Sequence, residues 1–227
     1  MVAAASDLNG APSVSPGVAL IRGADLVAAP WKNGGGVTRE VTAFPQCEAG
    51  AAPGDFVWRV SVADVAQAGP FSRFDGIDRT LVLLSGAGML LDEMDGARVV
   101  NTHALTQPLD IARFDGAARI DARLIDGATR DFNLMVRRDM ARGEVDVWRA
   151  GAQPRTLDGD VALLFCASGA VTVTLTAGDT GDTGDTGDVG ARQLDTGDTL
   201  RIDAAQALAC TLAGDGAVLA ISIRYTR

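Results

Sequence analysis

The amino-acid sequence predicts an all-β chain, a sandwich or barrel assembled from two similar halves. From residue 18 onward, short apolar runs are punctuated by Gly, Asp and Pro about every ten residues, the spacing of short strands and tight turns. The chain holds 27 glycines in 227 residues and few long polar runs, which again favours many turns. Two stretches also share one texture. Residues 80–91 (TLVLLSGAGMLL) and 161–175 (VALLFCASGAVTVTL) are each an apolar run, a small-residue turn and a second apolar run. Residues 194–200, LDTGDTL, add a Gly-Asp turn between consecutive strands.

Taken in order, residues 1–16 are rich in Ala, Ser and Pro and read as a disordered tail. Strands are expected at 18–22, 36–44, 56–63, 79–85, 88–92, 109–114, 118–124, 131–137 and 144–149, making an N-terminal half at 17–150. A second set at 160–167, 170–176, 192–195, 199–202, 207–212 and 217–224 makes a C-terminal half at 151–227. No helix of any length is expected; residues 64–67 offer one short turn. Residues 178–190, opening with GDTGDTGDTGD, read as a flexible acidic hairpin loop. An EF-hand calcium loop would need mixed spacing and a terminal bidentate Glu, both missing from this triplet repeat.

Charge and composition exclude several classes. With 20 Lys and Arg against 29 Asp and Glu, the net charge of −9 opposes a phosphate backbone, so no nucleic-acid partner is expected. Local arginines can still hold a small anion. Cys47, Cys166 and Cys210 are odd in number and form no CxxC, which indicates neither a zinc cage nor a disulfide framework. Cys166 and Cys210 lie in apolar runs and read as small buried hydrophobes. Residues 1–15 lack a basic region followed by an apolar stretch, and no run reaches the length of a membrane span. The expectations are no secretory signal, no membrane and a cytoplasmic location.

The chemistry-bearing residues concentrate between Pro30 and Arg79, with an echo at 131–137. Residues 30–40, PWKNGGGVTRE, set an aromatic, a cation, an amide and three glycines ahead of a strand, and the glycines allow close backbone approach to something, a ligand among the options. Neither GxxxxGK[ST] nor GxGxxG followed by a helix is present, so this is no phosphate loop. Alternation places Thr38, Glu40 and Thr42 on one strand face and Val37, Arg39 and Val41 on the other. On the next strand Phe56, Trp58, Val60 and Val62 share one face, and Arg59 and Ser61 the other. Residues 69–79, GPFSRFDGIDR, carry two aromatics and two arginines in the manner of a pocket rim. Asp131, Asn133 and Met135 share a face.

PWKNGGGVTREV, DFVWRVSVADV, GPFSRFDGIDRTLVLLSGAGMLL and DFNLMVRR together resemble the HutD/Ves family. The similarity runs from about Val18 to Arg149 and is weaker beyond. It implies a bicupin, a double-stranded β-helix (jelly roll) with two packed cupin-like halves. It also implies a role in histidine utilisation through binding an intermediate such as urocanate or a formylated glutamate, or, for Ves, in stress or cold response. No catalytic residue and no cofactor is carried over. Many cupins bind a metal through several histidines; this chain has one, His103, which cannot build that site, so no metal is expected.

Three readings are compatible with these residues. In the first, a small carboxylate binds to Lys32, Arg39, Arg59 or Arg79, with Asn33 and Asn133 as polar partners, Trp31, Trp58 or Phe74 as an apolar wall, and Glu40 and Ser61 beside them. In the second, Glu40 or Asp131 is a general base of a metal-independent isomerase or lyase. In the third, the chain is a structural or protein-interaction module whose arginines form surface ion pairs and whose aromatics fill a core. A homodimer through strand edges is an expected assembly.

Overall fold

The computed structural model describes residues 17–45, 55–176 and 188–227. Apart from one 3-10 turn at Gly23–Asp25, every helix or strand in them is a strand. The N-terminal half contains β2 (Ala28–Pro30), β3 (Gly36–Phe44), β4 (Trp58–Val65), β5 (Gly69–Pro70), β6 (Ile77–Ser85), β7 (Met89–Asp95), β8 (Arg98–Leu105), β9 (Ile111–Asp115), β10 (Ile120–Leu124) and β11 (Thr129–Arg137). The C-terminal half contains β12 (Ala141–Ser168), β13 (Ala170–Thr176), β14 (Asp188–Asp195) and β15 (Thr199–Tyr225), joined by β1 (Gly17–Ile21).

In the N-terminal half a six-stranded sheet, β2-β3-β4-β11-β6-β9, faces a four-stranded one, β5-β10-β7-β8. The C-terminal half repeats this plan with fewer, longer strands. Residues 141–149 pair with 217–225, 217–223 pair also with 161–168, and 161–165 pair in turn with 199–203. That order reproduces β4-β11-β6-β9. Likewise β13 lies between β14 and the middle of β15, as β7 lies between β8 and β10. The two stretches of shared texture are the equivalent hairpins β6–β7 and β12–β13. Their turns place Gly86 (φ 98) and Gly169 (φ 68) in the left-handed region, where a side chain is strained. The fold is the expected all-β double jelly roll.

Strand alternation explains where the cores sit. Val161, Leu163 and Phe165 point into the seam between the halves, while Ala162, Leu164 and Cys166 point into the C-terminal half. Both faces of that strand are buried, so its sequence is continuously apolar instead of alternating. Across the seam, Val60, Val62, Phe132, Leu134 and Val136 present the outer face of the six-stranded sheet. Phe132 and Phe165 meet with ring centroids 5.1 Å apart. Burying a side chain of this size contributes about 1.5–3 kcal/mol, so this seam binds the halves into one body.

Four expectations are corrected. Residues 64–67 form no helical turn, because β4 continues through Val65. The polar run Arg98–Leu105 is a strand, β8, at the exposed edge of its sheet, where alternation against a core is not required. The seam does not fall at residue 150: β12 enters the C-terminal sheet at Ala141, and β1 pairs with Thr199–Asp203 there. The acidic loop does not extend to Gly190, since β14 begins at Asp188. Cys47 and residues 177–187 of the GDT repeat lie outside the described residues, as does the tail at 1–16. Cys166 and Cys210 are buried free thiols, pushed up to about 11 by burial. No helix of the described residues is long and apolar enough to cross a membrane.

Candidate functional site

A cavity of about 490 Å³ opens within the N-terminal half, on the inner face of the six-stranded sheet. Its floor is set by strand pairing. Arg59, Met135 and Arg79 lie across from one another on β4, β11 and β6, and Ser61, Asn133 and Leu81 form the next inward rung. Ala63, Asp131 and Leu83 form the third. Because inward positions recur every second residue, Asp131, Asn133 and Met135 all reach this face from β11. The wall comes from Trp31, Lys32 and Asn33 of the β2–β3 turn and from Pro70, Phe71, Ser72 and Phe74.

The turn that presents Trp31 is built by local bonds. Gly34 N–H donates to Trp31 O at 3.0 Å, Gly35 N–H to Asn33 Oδ1 at 3.0 Å, and the Trp31 indole N–H to Thr38 Oγ1 at 2.7 Å. A Cβ on Gly36 would lie 2.5 Å from Asp64 O and 3.1 Å from the Trp31 ring. The close approach that Gly36 permits is therefore to Trp31 and β4, and no ligand is needed to account for it. Trp31 in turn meets Phe71 edge to face, centroids 6.3 Å apart.

Arg79 is the centre of the site. Its residue is 6% exposed, and its guanidinium lies 5.5, 5.8 and 5.1 Å from the ring centroids of Phe71, Phe74 and Phe114. Its Nη1 donates to Ser72 O at 3.3 Å. Burial lowers it to about 10, with the charge of Asp131 acting the other way. Asp131, 2% exposed, is raised to about 7 by burial, against the pull of Arg79. Arg79 Nε, Asp131 Oδ2 and Asn133 Oδ1 are buried and have no hydrogen-bond partner among the described residues. Buried polar atoms are nearly always paired, and leaving one unpaired costs about 1–3 kcal/mol. Three such atoms belong to residues that line one cavity, which makes it the candidate site.

The sequence-derived candidates divide cleanly. Trp31, Lys32, Asn33, Arg59, Ser61, Phe74, Arg79 and Asn133 line the cavity. Trp58, Arg39 and Glu40 do not. Trp58 lies on the opposite face of β4, fully buried in the seam, where its indole N–H donates to Tyr225 Oη at 3.2 Å and Arg201 stacks on its ring. Arg39 points away too and pairs with Asp64 at 2.6 Å; Asp64, also held by Arg130, is kept below its ordinary range. Glu40 holds Arg59 Nε at 2.6 Å from outside the lining. A bulge between Glu40 and Thr42 reverses the facing of the rest of β3, so Thr42 meets Arg201 instead of sharing Thr38's side. Asp131, proposed from sequence only as a base, is a lining residue, as are Phe71, Ser72 and Met135. The alternation of Asp131 with Asn133, and the rim-like character of residues 69–79, were the signals for them. His103 stands apart on β8, 2.8 Å from Glu93. Among the described residues, no three His, Cys, Asp or Glu side chains gather as metal ligands.

The HutD family profile matches residues 23–220. The chain belongs to the HutD family. As a HutD-family member it is 34% identical over 158 residues to an uncharacterized 21.2 kDa protein in the hutC 3′ region of Pseudomonas putida, covering 69% of this chain and 77% of that one. It is 36% identical over 143 residues to Protein Ves of Citrobacter koseri, covering 62% and 68%. The structure of HutD from Pseudomonas fluorescens SBW25, in a formate condition, superposes with a TM-score of 0.71 at 29% identity, over 93% of this chain and 100% of that one. Vicilin from Solanum melongena, at 11% identity and TM-score 0.56 over 90% of this chain and 83% of that one, shares the cupin fold alone.

Proposed function

We propose that this HutD-family chain binds a small carboxylate metabolite of histidine utilisation, urocanate or a formylglutamate-like acid, in the N-terminal cavity and without a metal. The observation that carries the reading is the unpartnered, buried Nε of Arg79, a charged donor on a residue that lines the cavity together with Arg59 and Lys32. Charge-assisted bonds from an arginine are the strong way to hold a carboxylate, and a desolvated site strengthens them. The flanking rings of Trp31, Phe71 and Phe74 suit a flat or apolar body. Support for the metabolic setting comes from the family and from the hutC-region relative. The metal-free character rests on the chain's single histidine, which lies on β8 outside the cavity lining.

Calorimetric titration of the purified protein with urocanate, formylglutamate and histidine tests this. Saturable heat from one of them, with Kd between micromolar and millimolar (about −8 to −4 kcal/mol), is the expected result. Absence of heat and of any thermal shift with all three removes the reading.

One observation favours a second reading, a metal-independent isomerase or lyase on the same acid. Burial raises Asp131 to about 7, where a carboxylate can both take and return a proton near neutrality. Glu40, the other sequence candidate, is partly exposed and engaged with Arg59. Turnover that disappears in Asp131→Asn while binding persists would establish the enzyme; binding without turnover leaves the carboxylate-binding protein.

A further inference from the structure

The orphaned atoms of the cavity are not equivalent. Arg79 Nε is a cationic donor, whereas Asn133 Oδ1 is an acceptor and Asp131 Oδ2 accepts whenever the carboxyl is ionised. Strand register separates them. Arg79 stands across from Met135, and Asn133 and Asp131 come two and four residues further along the same face of β11. At about 3.4 Å of rise per residue these rungs lie roughly 7 and 14 Å from that of Arg79. Arg79 cannot freely swing along the cavity to neutralise them, because Phe71, Phe74 and Phe114 surround its guanidinium and Ser72 O accepts from its Nη1. Arg59 reinforces the cationic end from the same rung as Met135. The backbone register thus sets the donor residues and the acceptor residues on different rungs of the floor, with Arg79 and Asp131 still near enough to feel each other's charge.

We infer that the cavity is bipolar and selects a monoanion bearing an N–H or O–H donor away from its acidic group, the anion going to Arg79 and the donor to Asn133 and Asp131. This rests on the proposed binding of a carboxylate and adds the far end of the ligand to it. An acid with an apolar tail would leave Asn133 Oδ1 and Asp131 Oδ2 desolvated and unpaired. Sites built to hydrogen-bond a donor reject analogues that lack it for this reason. A second carboxylate would meet Asp131, so of the two acids in the proposed function the inference favours urocanate over the dianionic formylglutamate.

A matched pair of ligands tests the inference. Urocanate and 3-(2-furyl)acrylate share an acrylate and a flat five-membered ring, but only urocanate carries a ring N–H. The expected result is urocanate binding at least tenfold tighter in calorimetry. That ratio should fall to threefold or less in Asn133→Leu, and also in Asp131→Leu, which removes both carboxylate oxygens. Circular dichroism and thermal melts of both variants establish that they are folded, and either folded variant alone keeps the test decisive. Equal affinity of the two acids overturns the bipolar site and leaves carboxylate binding standing. A ratio of tenfold or more that persists in both folded variants overturns the assigned acceptors. If urocanate, furylacrylate and formylglutamate all fail to bind, the carboxylate reading and this inference fall together; formylglutamate binding more tightly than urocanate overturns this inference alone.

Discussion

The two halves of this protein share one topology and differ in what fills it. The inner faces of 161–168 and 217–225 carry Ala162, Leu164, Cys166, Val218 and Ala220, and the C-terminal interior is packed with apolar side chains. The corresponding strands of the N-terminal half carry Arg79, Asp131 and Asn133 inward and enclose a cavity of about 490 Å³. A jelly roll needs only that inward positions be filled or solvated. One copy meets this with hydrocarbon and contributes stability. The other leaves charged and amide atoms unpaired beside its cavity, at a cost of about 1–3 kcal/mol each that bound ligand can recover, where the C-terminal half leaves only the Thr199 hydroxyl among the described residues. The seam core, with Trp58, Phe132 and Phe165, lets the stable half support the strained one.

The comparison can be broken most forcefully from the apolar side. Leu164→Ala, at a position with no exposure, should lower the unfolding free energy by about 2–5 kcal/mol. Urea denaturation measures this; a loss under about 1 kcal/mol would mean the C-terminal interior is not close-packed. On the polar side, Arg79→Met should weaken binding of the cognate acid at least 100-fold, about 2.7 kcal/mol, yet leave the urea midpoint unchanged or higher. A large destabilisation instead would make Arg79 a structural residue.

A smaller effect distinguishes Asp131 through pH. Its native value is about 7, against an ordinary value of 3.8, so between these the native state keeps a proton that the unfolded chain has lost. Its contribution to stability is complete below pH 3.8 and is lost as pH rises through 7. Relative to Asp131→Asn, the wild type should therefore lose stability across that window, read from melting temperatures at matched pH; parallel profiles would contradict the burial-raised carboxyl. Asp64, Asp110, Asp115 and Asp198, held below their ordinary range by hydrogen-bond donors, slope the opposite way at lower pH and cancel in the difference. The smallest effect belongs to Arg39→Ala. Its partly exposed pair with Asp64 is worth under about 1 kcal/mol, and calorimetry should show binding changed by less than twofold.

Much of this was legible along the chain. The alternation of Asp131, Asn133 and Met135, and of Arg59 and Ser61 opposite Trp58, already separated the faces that became cavity and seam. It could not say which face was which, because Trp58, a plausible ligand wall, and Arg59, a plausible surface residue, are equally compatible with either side until the second half docks. Arg39 and Glu40 were misassigned for a related reason. Arg39 is drawn to Asp64 and Glu40 to Arg59, and both partners lie on a neighbouring strand about twenty residues away in sequence.

Period-two apolar runs, glycine-marked turns and the repeated texture of 80–91 and 161–175 are local properties, and by themselves they determined a duplicated all-β fold. Burial is not local. The outer face of β4 and β11 became core only because 161–165 packs against it, and Arg79, Asp131 and Asn133 became a candidate site only because nothing among the described residues pairs their buried atoms. That pairing, or its lack, is set by strand register across three elements distant in sequence, and so the tertiary structure alone decided it.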